Sequence, residues 1–183
     1  LLEDDSLEKS SNNYLMAIYC QGHEVSIAYV DISTGELNAS ILDLDKVKNE
    51  VAKILPREVL SNSPDLLGSL GSLSDMANIY LNEDFDTSLL DKTIITKQFE
   101  QSYLDQLGLD RDNLIMYSLA IVLNYISKTQ MMHESNLNTI NIYQSGDYMA
   151  LDLFTRINLE LTKTIRTSKK KGSLLQVLDA TST

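Results

Sequence analysis

The carboxylates of this chain are the side chains that could perform the most demanding chemistry, because acidic groups that converge on two cations can cleave a phosphodiester. Such a site needs several carboxylates placed close together, and the predicted first strand, Tyr14–Cys20, contains none. The predicted strand Arg57–Leu60 is followed by Ser and Asn rather than Asp. Asp31 and Glu50 remain, and Asp31 lies in a sequence typical of a turn. We therefore predict no catalytic residue and no metal site, with a metal-dependent nuclease as the alternative hypothesis.

Nucleotide phosphates are usually held by a glycine-rich loop of the form G-x-x-x-x-G-K-[ST], in which backbone N–H groups and a lysine converge. None of the seven glycines in the chain is followed by Lys, so we expect no ATP to bind in that manner. One basic cluster is present, formed by Lys163, Arg166 and Lys169–Lys171. A solvated helix end is favoured over a phosphate contact there, although contact between Lys169–Lys171 and DNA stays open. No cofactor is predicted.

Cysteine and histidine are too scarce for a zinc site. Cys20 is the only cysteine, which excludes an internal disulfide and fits a reducing, cytoplasmic compartment. It lies in an apolar run and is predicted to be a buried, inert thiol. His23 and His133 lie in polar stretches and are predicted to be solvated. The longest apolar-rich run, Leu114–Ile126, is too short to cross a membrane and predicts a buried helix.

Charge is distributed unevenly along the chain, whose formal net charge is −11. Residues 1–110 carry 20 acidic and 7 basic side chains, whereas residues 111–183 carry 6 acidic and 8 basic ones. The asymmetry suggests two units with different surroundings. Because nucleic-acid affinity depends on Lys and Arg displacing counterions, we predict that the acidic N-terminal unit does not bind DNA by itself.

Hydrophobic periodicity near the N-terminus is that of strands. Tyr14–Cys20 is continuously apolar, Val25–Asp31 marks one face with alternate apolar residues, and Glu36–Leu42 alternates regularly. These segments predict an antiparallel meander. After Asp43 the apolar residues recur at helical spacing, and the helix should end at Pro56.

Shorter elements follow the first helix. We predict a strand at Arg57–Leu60, a broken helix at Pro64–Leu73, which contains two glycines, and a strand at Ile79–Leu81. Three strands, helix, strand, helix, strand is the element order of a ribonuclease H-like α/β domain. The alternative nuclease hypothesis would place its metal site in a domain of this kind.

From about Asp84 the pattern becomes helical. The weakly patterned segment Asp84–Lys97 is predicted to be an interdomain linker that could act as a hinge. Asp112 or Asn113 can cap a helix that runs to about Lys128, and since this helix is apolar nearly all round we expect other helices to enclose it. Asn136–Gln144 is predicted to be an extended crossing segment. The predicted fold class is thus α/β followed by an all-α part.

Two sequence motifs carry a family resemblance. Between Tyr148 and Thr183, MALDLFTRINLEL is followed by KGSLLQVLDATST, and Asp152 can cap the helix that these residues predict. This stretch resembles the core domain of the bacterial DNA mismatch-repair protein MutS. Asn12–Ile18, followed by Asp31–Glu36, resembles the start of the connector domain in the same family.

The resemblance implies a domain organisation. It predicts a flexible leader at residues 1–11, a ribonuclease H-like connector domain at 12–83, a linker at 84–97, and the N-terminal part of a truncated helical core domain at 98–183. The chain is expected to be a fragment, because the family also has a mismatch reader, a clamp and an ATPase. ATP and Mg²⁺ would bind only to that missing ATPase, so this fragment is not expected to be an enzyme.

The resemblance also implies a function and partners. Full-length MutS is expected to be a cytoplasmic homodimer that binds mismatched DNA in an ATP-dependent manner and recruits MutL. This fragment would relay conformational change between the mismatch reader, the clamp and the ATPase, with a possible part in MutL docking. A pure docking surface on the acidic half is a further alternative. The fragment alone is not expected to bind DNA, and no membrane partner is implied.

Overall fold

The computed structural model describes residues 13–145, which form a six-stranded mixed sheet with helices packed against it. The strands are β1 Tyr14–Gln21, β2 Glu24–Asp31, β3 Leu37–Asp43, β4 Glu58–Ser61, β5 Tyr80–Asn82 and β6 Asn141–Ile142. The α-helices are α1 Val47–Ile54, α2 Pro64–Ser69, α3 Gly71–Ala77, α4 Thr93–Gln98, α5 Gln101–Gln106 and α6 Leu114–Thr129. Short 3-10 helices span Leu44–Lys46, Thr87–Leu90 and Glu134–Asn136.

The predicted antiparallel meander is confirmed by β1, β2 and β3. Gln21 pairs with Glu24, so only Gly22 and His23 form the first hairpin turn. Gly22 has a φ of +67°, which a two-residue hairpin turn requires and glycine adopts without steric cost. The predicted helix before Pro56 is also confirmed, since the 3-10 helix leads into α1, which buries Val47, Val51 and Ile54.

The remaining strands extend the meander on both sides, giving the order β5-β4-β1-β2-β3-β6. β4 runs parallel to β1, β5 runs parallel to β4, and β6 runs parallel to β3. Helical crossovers therefore connect β3 to β4 and β4 to β5, as parallel pairing requires. Ser63 caps α2 by accepting a hydrogen bond from the N–H of Leu66 at 3.2 Å, and Pro64 occupies the first turn.

Each face of the sheet has its own apolar core. One core packs α1, α2 and the end of α3 against alternate residues of β1, β2 and β4, among them Met16, Ile27 and Val59. The other core contains α6, α4 and α5. On that face Ala17, Ala28 and Ala39 pair in one row across three strands, and all are buried. These small side chains allow the long helix α6 to approach the sheet closely.

The predicted linker at Asp84–Lys97 is wrong. This segment forms a 3-10 helix and the start of α4, and it buries Leu89 and Ile95 in the same core as the β1 residue Leu15. The compact unit runs to Gln144, so the structure does not divide at 83/84, and the segment packs against the sheet instead of linking two units. The sequence misled because short helices of one or two turns show too little apolar periodicity to be recognised.

The predicted environment of the long helix is also corrected. α6 begins after Asn113, whose Oδ1 accepts a hydrogen bond from the N–H of Ile115 at 2.9 Å, and ends at Thr129, close to its predicted bounds. Its apolar circumference is covered by the sheet on one side and by the 3-10 helix Thr87–Leu90 and α4 on the other. Residues 98–144 therefore belong to the α/β unit and not to a separate helical domain.

Several predictions fall on residues outside the described range. They are the leader at 1–11, the helix capped by Asp152, the basic cluster Lys163–Lys171 and both halves of the C-terminal motif. Within residues 13–145, no helix combines the length and the apolar character needed to cross a membrane.

Candidate functional site

The carboxyl ends of β1 and β4 meet where the sheet order reverses, and in open α/β sheets such a position is the usual ligand crevice. Here Asn62 occupies it. Its Oδ1 accepts a hydrogen bond from the backbone N–H of Cys20 at 2.8 Å, and its Nδ2 donates to the Cys20 carbonyl oxygen at 3.0 Å. The side-chain amide of Asn62 thus continues the hydrogen bonding between β1 and β4 beyond the last backbone pair. Both of its polar atoms bond the Cys20 backbone in this way.

Cys20 at the same place is half-buried. Burial raises the pKa of its thiol, an effect that hydrogen bonds with the side chains of Ser61 and Ser63 partly offset. A raised pKa lowers the thiolate fraction at neutral pH, so the thiol is poorly activated for nucleophilic attack. The structure thus supports the predicted inert thiol, although the side chain is less deeply buried than expected.

Asp31 is a turn residue, as the sequence predicted. Its Oδ1 accepts a hydrogen bond from the N–H of Ser33 at 2.8 Å, and its carbonyl oxygen accepts one from Gly35 at 2.7 Å. His23 and His133 are both exposed. Over the described part of the chain, no three His, Cys, Asp or Glu side chains come close enough together to hold a metal ion.

The structure instead shows two networks in which a tyrosine hydroxyl meets a carboxylate. In the first, Glu50 on α1 is only 1% exposed and accepts a hydrogen bond from the hydroxyl of Tyr143 at 2.7 Å. Lys53 lies 3.4 Å from the same carboxylate oxygen. Burial raises the pKa of Tyr143, and the nearby charge of Glu50 raises it further. The phenol therefore remains a hydrogen-bond donor to a buried charge.

Tyr29 on β2 completes the first network. Its ring meets that of Tyr143 edge-on, with 6.0 Å between the ring centroids. Burial raises the pKa of Tyr29 to about 12, while a hydrogen bond with Tyr143 lowers it in part. This network joins α1, the central strand β2 and the residue that follows β6.

The second network lies on the α6 side of the sheet. Tyr125 of α6 donates a hydrogen bond from its hydroxyl to Oε2 of Glu58 on β4 at 2.7 Å. Asn82 on β5 donates from Nδ2 to the same oxygen at 2.9 Å and to the Tyr125 hydroxyl at 3.1 Å. Burial and then Glu58 raise the pKa of Tyr125 to about 12. One carboxylate thus connects α6 to two neighbouring strands.

Further polar contacts fix the position of α6, one at its first residue and two in its second half. Ser26 of β2 is fully buried and donates a hydrogen bond from Oγ to the carbonyl oxygen of Leu114 at 2.8 Å. Asn124 donates from Nδ2 to the carbonyl oxygens of Leu89 and Asp91, both at 2.9 Å. Both hydrogen bonds from Asn124 hold the segment 84–97, which the sequence predicted to be a linker.

A surface stack flanks the same helix. The rings of Tyr19 and Tyr117 lie parallel, with centroids 4.6 Å apart, and Lys92 places its Nζ 3.8 Å from the centroid of Tyr117. Because an ammonium group is attracted to the face of an aromatic ring, Lys92 holds α4 against α6. This tyrosine pair packs within the unit.

Sequence reasoning named Glu50 only as an isolated acid without its partner Tyr143, and it missed Glu58, Tyr125 and Asn82. The partners in these networks lie 93, 67, 43 and 24 positions apart, so no local spacing could reveal them. One signal was available: Glu50 falls on the apolar stripe of α1 between Val47 and Val51, where a charged side chain must find a buried partner.

Together, these observations define the class of the protein as an α/β domain whose mixed sheet is clamped between helical layers by polar side chains. Residues 13–141 match the family described as MutS domain II, and the chain belongs to that family. The match includes α6 and the segment 84–97 that the sequence predicted to be a linker. It therefore agrees with the compact unit, which ends at Gln144.

Relatives extend the similarity beyond that domain. The chain is 51% identical over its whole length to the DNA mismatch repair protein MutS of Clostridioides difficile, of which it covers 19%. It is 35% identical to the MutS of Clostridium beijerinckii, also over its whole length, and covers 20% of that protein. For the MutS of Alkaliphilus oremlandii the identity is 33% and the share covered is 22%. The chain thus spans about a fifth of the length of these curated relatives.

Proposed function

We propose that this chain is a connecting part of a DNA mismatch repair protein of the MutS type and transmits conformational change between parts that bind DNA and ATP. The match to MutS domain II over residues 13–141 carries this proposal, supported by 51% identity to a curated MutS along the entire chain. In this proposal the longer protein is a cytoplasmic homodimer that binds mismatched DNA and recruits MutL.

A transmitting domain must move as one body, because a force applied at one edge is lost if the interior yields. The two tyrosine–carboxylate networks support such rigidity, since they join helices on opposite faces to the same sheet. The segment 84–97 is packed into that body, so the relay as we now propose it has no hinge there. Any movable junction lies outside this segment.

We also propose that the sheet has ribonuclease H-like topology. Support comes from the strand order β3-β2-β1-β4-β5, in which the first three strands are antiparallel and the next two are parallel to β1. β6 adds to the β3 edge. The proposal includes no nuclease activity, because β1 lacks a carboxylate and Asp31 and Glu50 are engaged in a turn and in a buried network.

A chimaera tests the repair function. Replacing the corresponding segment of the Clostridioides difficile MutS with this chain should give a protein that lowers the spontaneous mutation frequency of a MutS-deficient strain as the parent protein does. A chimaera that is expressed and soluble but leaves the mutation frequency high would contradict the proposal. The parent protein and an empty vector set the two limits of the assay.

A second experiment tests whether the chain cleaves or binds nucleic acid. The chain should leave labelled single- and double-stranded nucleic acid intact in the presence of Mg²⁺ or Mn²⁺, and it should not retain DNA by itself at physiological salt. Cleavage that disappears in Asp31→Ala would restore the nuclease hypothesis. Any part in MutL docking would appear as binding of MutL to the chain in solution.

A further inference from the structure

The chain passes along the outer edge of β3 before it leaves the compact unit, and this crossing has little regular structure. β6 contains only two residues, which pair with Asn38 and Ala39. A strand of that length is far below the usual five or six residues and supplies few ladder hydrogen bonds. The segment must therefore be held in place mainly by other contacts.

Side chains from three separate elements supply those contacts. Gln98, at the end of α4, donates hydrogen bonds from Nε2 to the carbonyl oxygens of Glu134 and Leu137, both at 2.8 Å. The hydroxyl of Tyr103 on α5 accepts one from the N–H of Ile140 at 2.9 Å. On β3, Oδ1 of Asn38 accepts a hydrogen bond from Nδ2 of Asn141 at 2.8 Å.

Tyr143 makes the last contacts before Gln144, where the compact unit ends. Its N–H donates to the carbonyl oxygen of Ala39 at 3.0 Å, and its hydroxyl donates to the buried carboxylate of Glu50 at 2.7 Å. The ammonium group of Lys53 lies 5.7 Å from the centre of its ring. Tyr143 thus connects the β3 edge to α1 through backbone and side chain together.

We propose that residues Leu137–Tyr143 form a strap whose catch is the Tyr143–Glu50 hydrogen bond. When the catch is closed, the strap covers the edge of β3 and fixes the place at which the chain leaves the sheet. When it opens, the strap detaches as a unit and uncovers an edge strand that can pair with other backbone. This role of the strap rests on the proposed relay function, because a domain that transmits movement needs a fixed point at which the chain leaves its sheet.

Hydrogen exchange on the 183-residue chain tests the strap. Tyr143→Phe removes the catch but keeps the ring, and the amides of Ile140 and Tyr143 should then exchange roughly ten- to hundredfold faster, as expected for the loss of a hydrogen bond to a charged group. Tyr125→Phe removes a tyrosine–carboxylate bond of the same length on α6 and is the matched control. It should leave exchange in the strap unchanged.

Gln98→Ala provides a second route that does not touch the buried carboxylate. It removes one hydrogen bond to the strap, at Leu137, and one to Glu134 just before the strap. It should also accelerate exchange of these amides, whether or not the Tyr143 variant folds. The strap is disproved if its amides exchange no faster in either variant, or if they accelerate only together with the central residues of β1 and β2. Neither result bears on mismatch repair, so a failed chimaera would overturn the proposed function and leave the strap standing.

Discussion

Tyr125 and Glu58 lie 67 positions apart in the sequence, yet the Tyr125 hydroxyl donates a 2.7 Å hydrogen bond to Oε2 of the Glu58 carboxylate. The same oxygen accepts a hydrogen bond from Asn82 at 2.9 Å. Two donors from different elements therefore converge on one charged acceptor, and α6 is attached to the β4–β5 edge of the sheet by polar contacts as well as by apolar packing.

Removing one donor should weaken this attachment. Tyr125→Phe keeps the ring but leaves Glu58 with Asn82 as its donor in this network, and we expect the free energy of unfolding to fall by about 1–2 kcal/mol, since the site is partly open to solvent. Urea denaturation at neutral pH measures the change. Tyr80→Phe, on the exposed side of β5, is the control and should cost less than about 0.5 kcal/mol. Equal losses in both variants would show that the bond contributes nothing specific.

Alkaline pH should destabilise the unit through its tyrosines. Folding raises the pKa of Tyr29 and of Tyr125 from 10.0 to about 12, and it raises that of Tyr143 as well. As the pH rises, the unfolded chain therefore loses these protons before the folded chain does. The contribution of the protonated tyrosines to the free energy of unfolding is complete below pH 10 and is lost as the pH rises towards 12. Unfolding followed by circular dichroism at several pH values should show this decline.

The variant Tyr29→Phe with Tyr125→Phe should flatten that decline, because two of the shifted groups are gone. The part of the tyrosinate absorbance that comes from Tyr29, Tyr125 and Tyr143 should accordingly appear late, near the pH where the structure is lost. If stability were constant between pH 10 and pH 12, or if the double variant declined as steeply as the wild type, the assignment of these pKa shifts would be wrong.

The sequence predicted the elements whose side chains follow a regular period. Alternation in Glu36–Leu42 located β3, helical spacing located α1, and a polar residue before a long apolar run located the start of α6. Such patterns are local consequences of facing a single core, so they can be read without knowledge of the fold. The acidic turn at Asp31 was predicted on the same basis.

The segments that the sequence did not predict depend on partners far away in the chain. Leu89 and Ile95 are buried by a sheet that begins with Tyr14, and nothing within residues 84–97 indicates that cover. Likewise, Asn136–Gln144 is predicted to be an extended crossing segment, but Asn136 ends a 3-10 helix and only Asn141–Ile142 form a strand. Its attachment relies on Gln98, Tyr103 and Glu50. The candidate networks were missed for the same physical reason, since a hydrogen bond between distant positions leaves no period in the sequence.

A buried hydroxyl offers a stabilising substitution. Ser40 on β3 is fully buried, and its Oγ has no hydrogen-bond partner anywhere in residues 13–145. An unsatisfied hydroxyl carries a desolvation penalty that Ala avoids, so Ser40→Ala should raise the free energy of unfolding by about 1 kcal/mol. Ser26→Ala is the matched control in the neighbouring strand, because its buried Oγ donates to Leu114.

The control should change stability in the opposite direction. Ser26→Ala leaves the carbonyl oxygen of Leu114 without its side-chain donor, and a loss of about 1–2 kcal/mol is expected. Denaturant titrations of the two variants are compared at the same pH and salt concentration. Destabilisation by Ser40→Ala of the same size as by Ser26→Ala would show that the Ser40 hydroxyl is satisfied after all.

Two glycines with similar backbone angles should respond differently to the same substitution. Gly22 has a φ of +67° and open space where a Cβ would lie, whereas Gly35 has a φ of +81° and a Cβ there would overlap the carbonyl oxygen of Asn136. Gly22→Ala should therefore lower the free energy of unfolding by about 1–2 kcal/mol, which is the strain of placing alanine in the left-handed conformation. Gly35→Ala should cost about 2–4 kcal/mol, because backbone must also move. Since Asn136 immediately precedes the strap, Gly35→Ala should accelerate amide exchange at Leu137 as well, and Gly22→Ala should not. Equal costs in urea denaturation, together with unchanged exchange at Leu137, would mean that the turn after β2 does not pack against the segment leading into the strap.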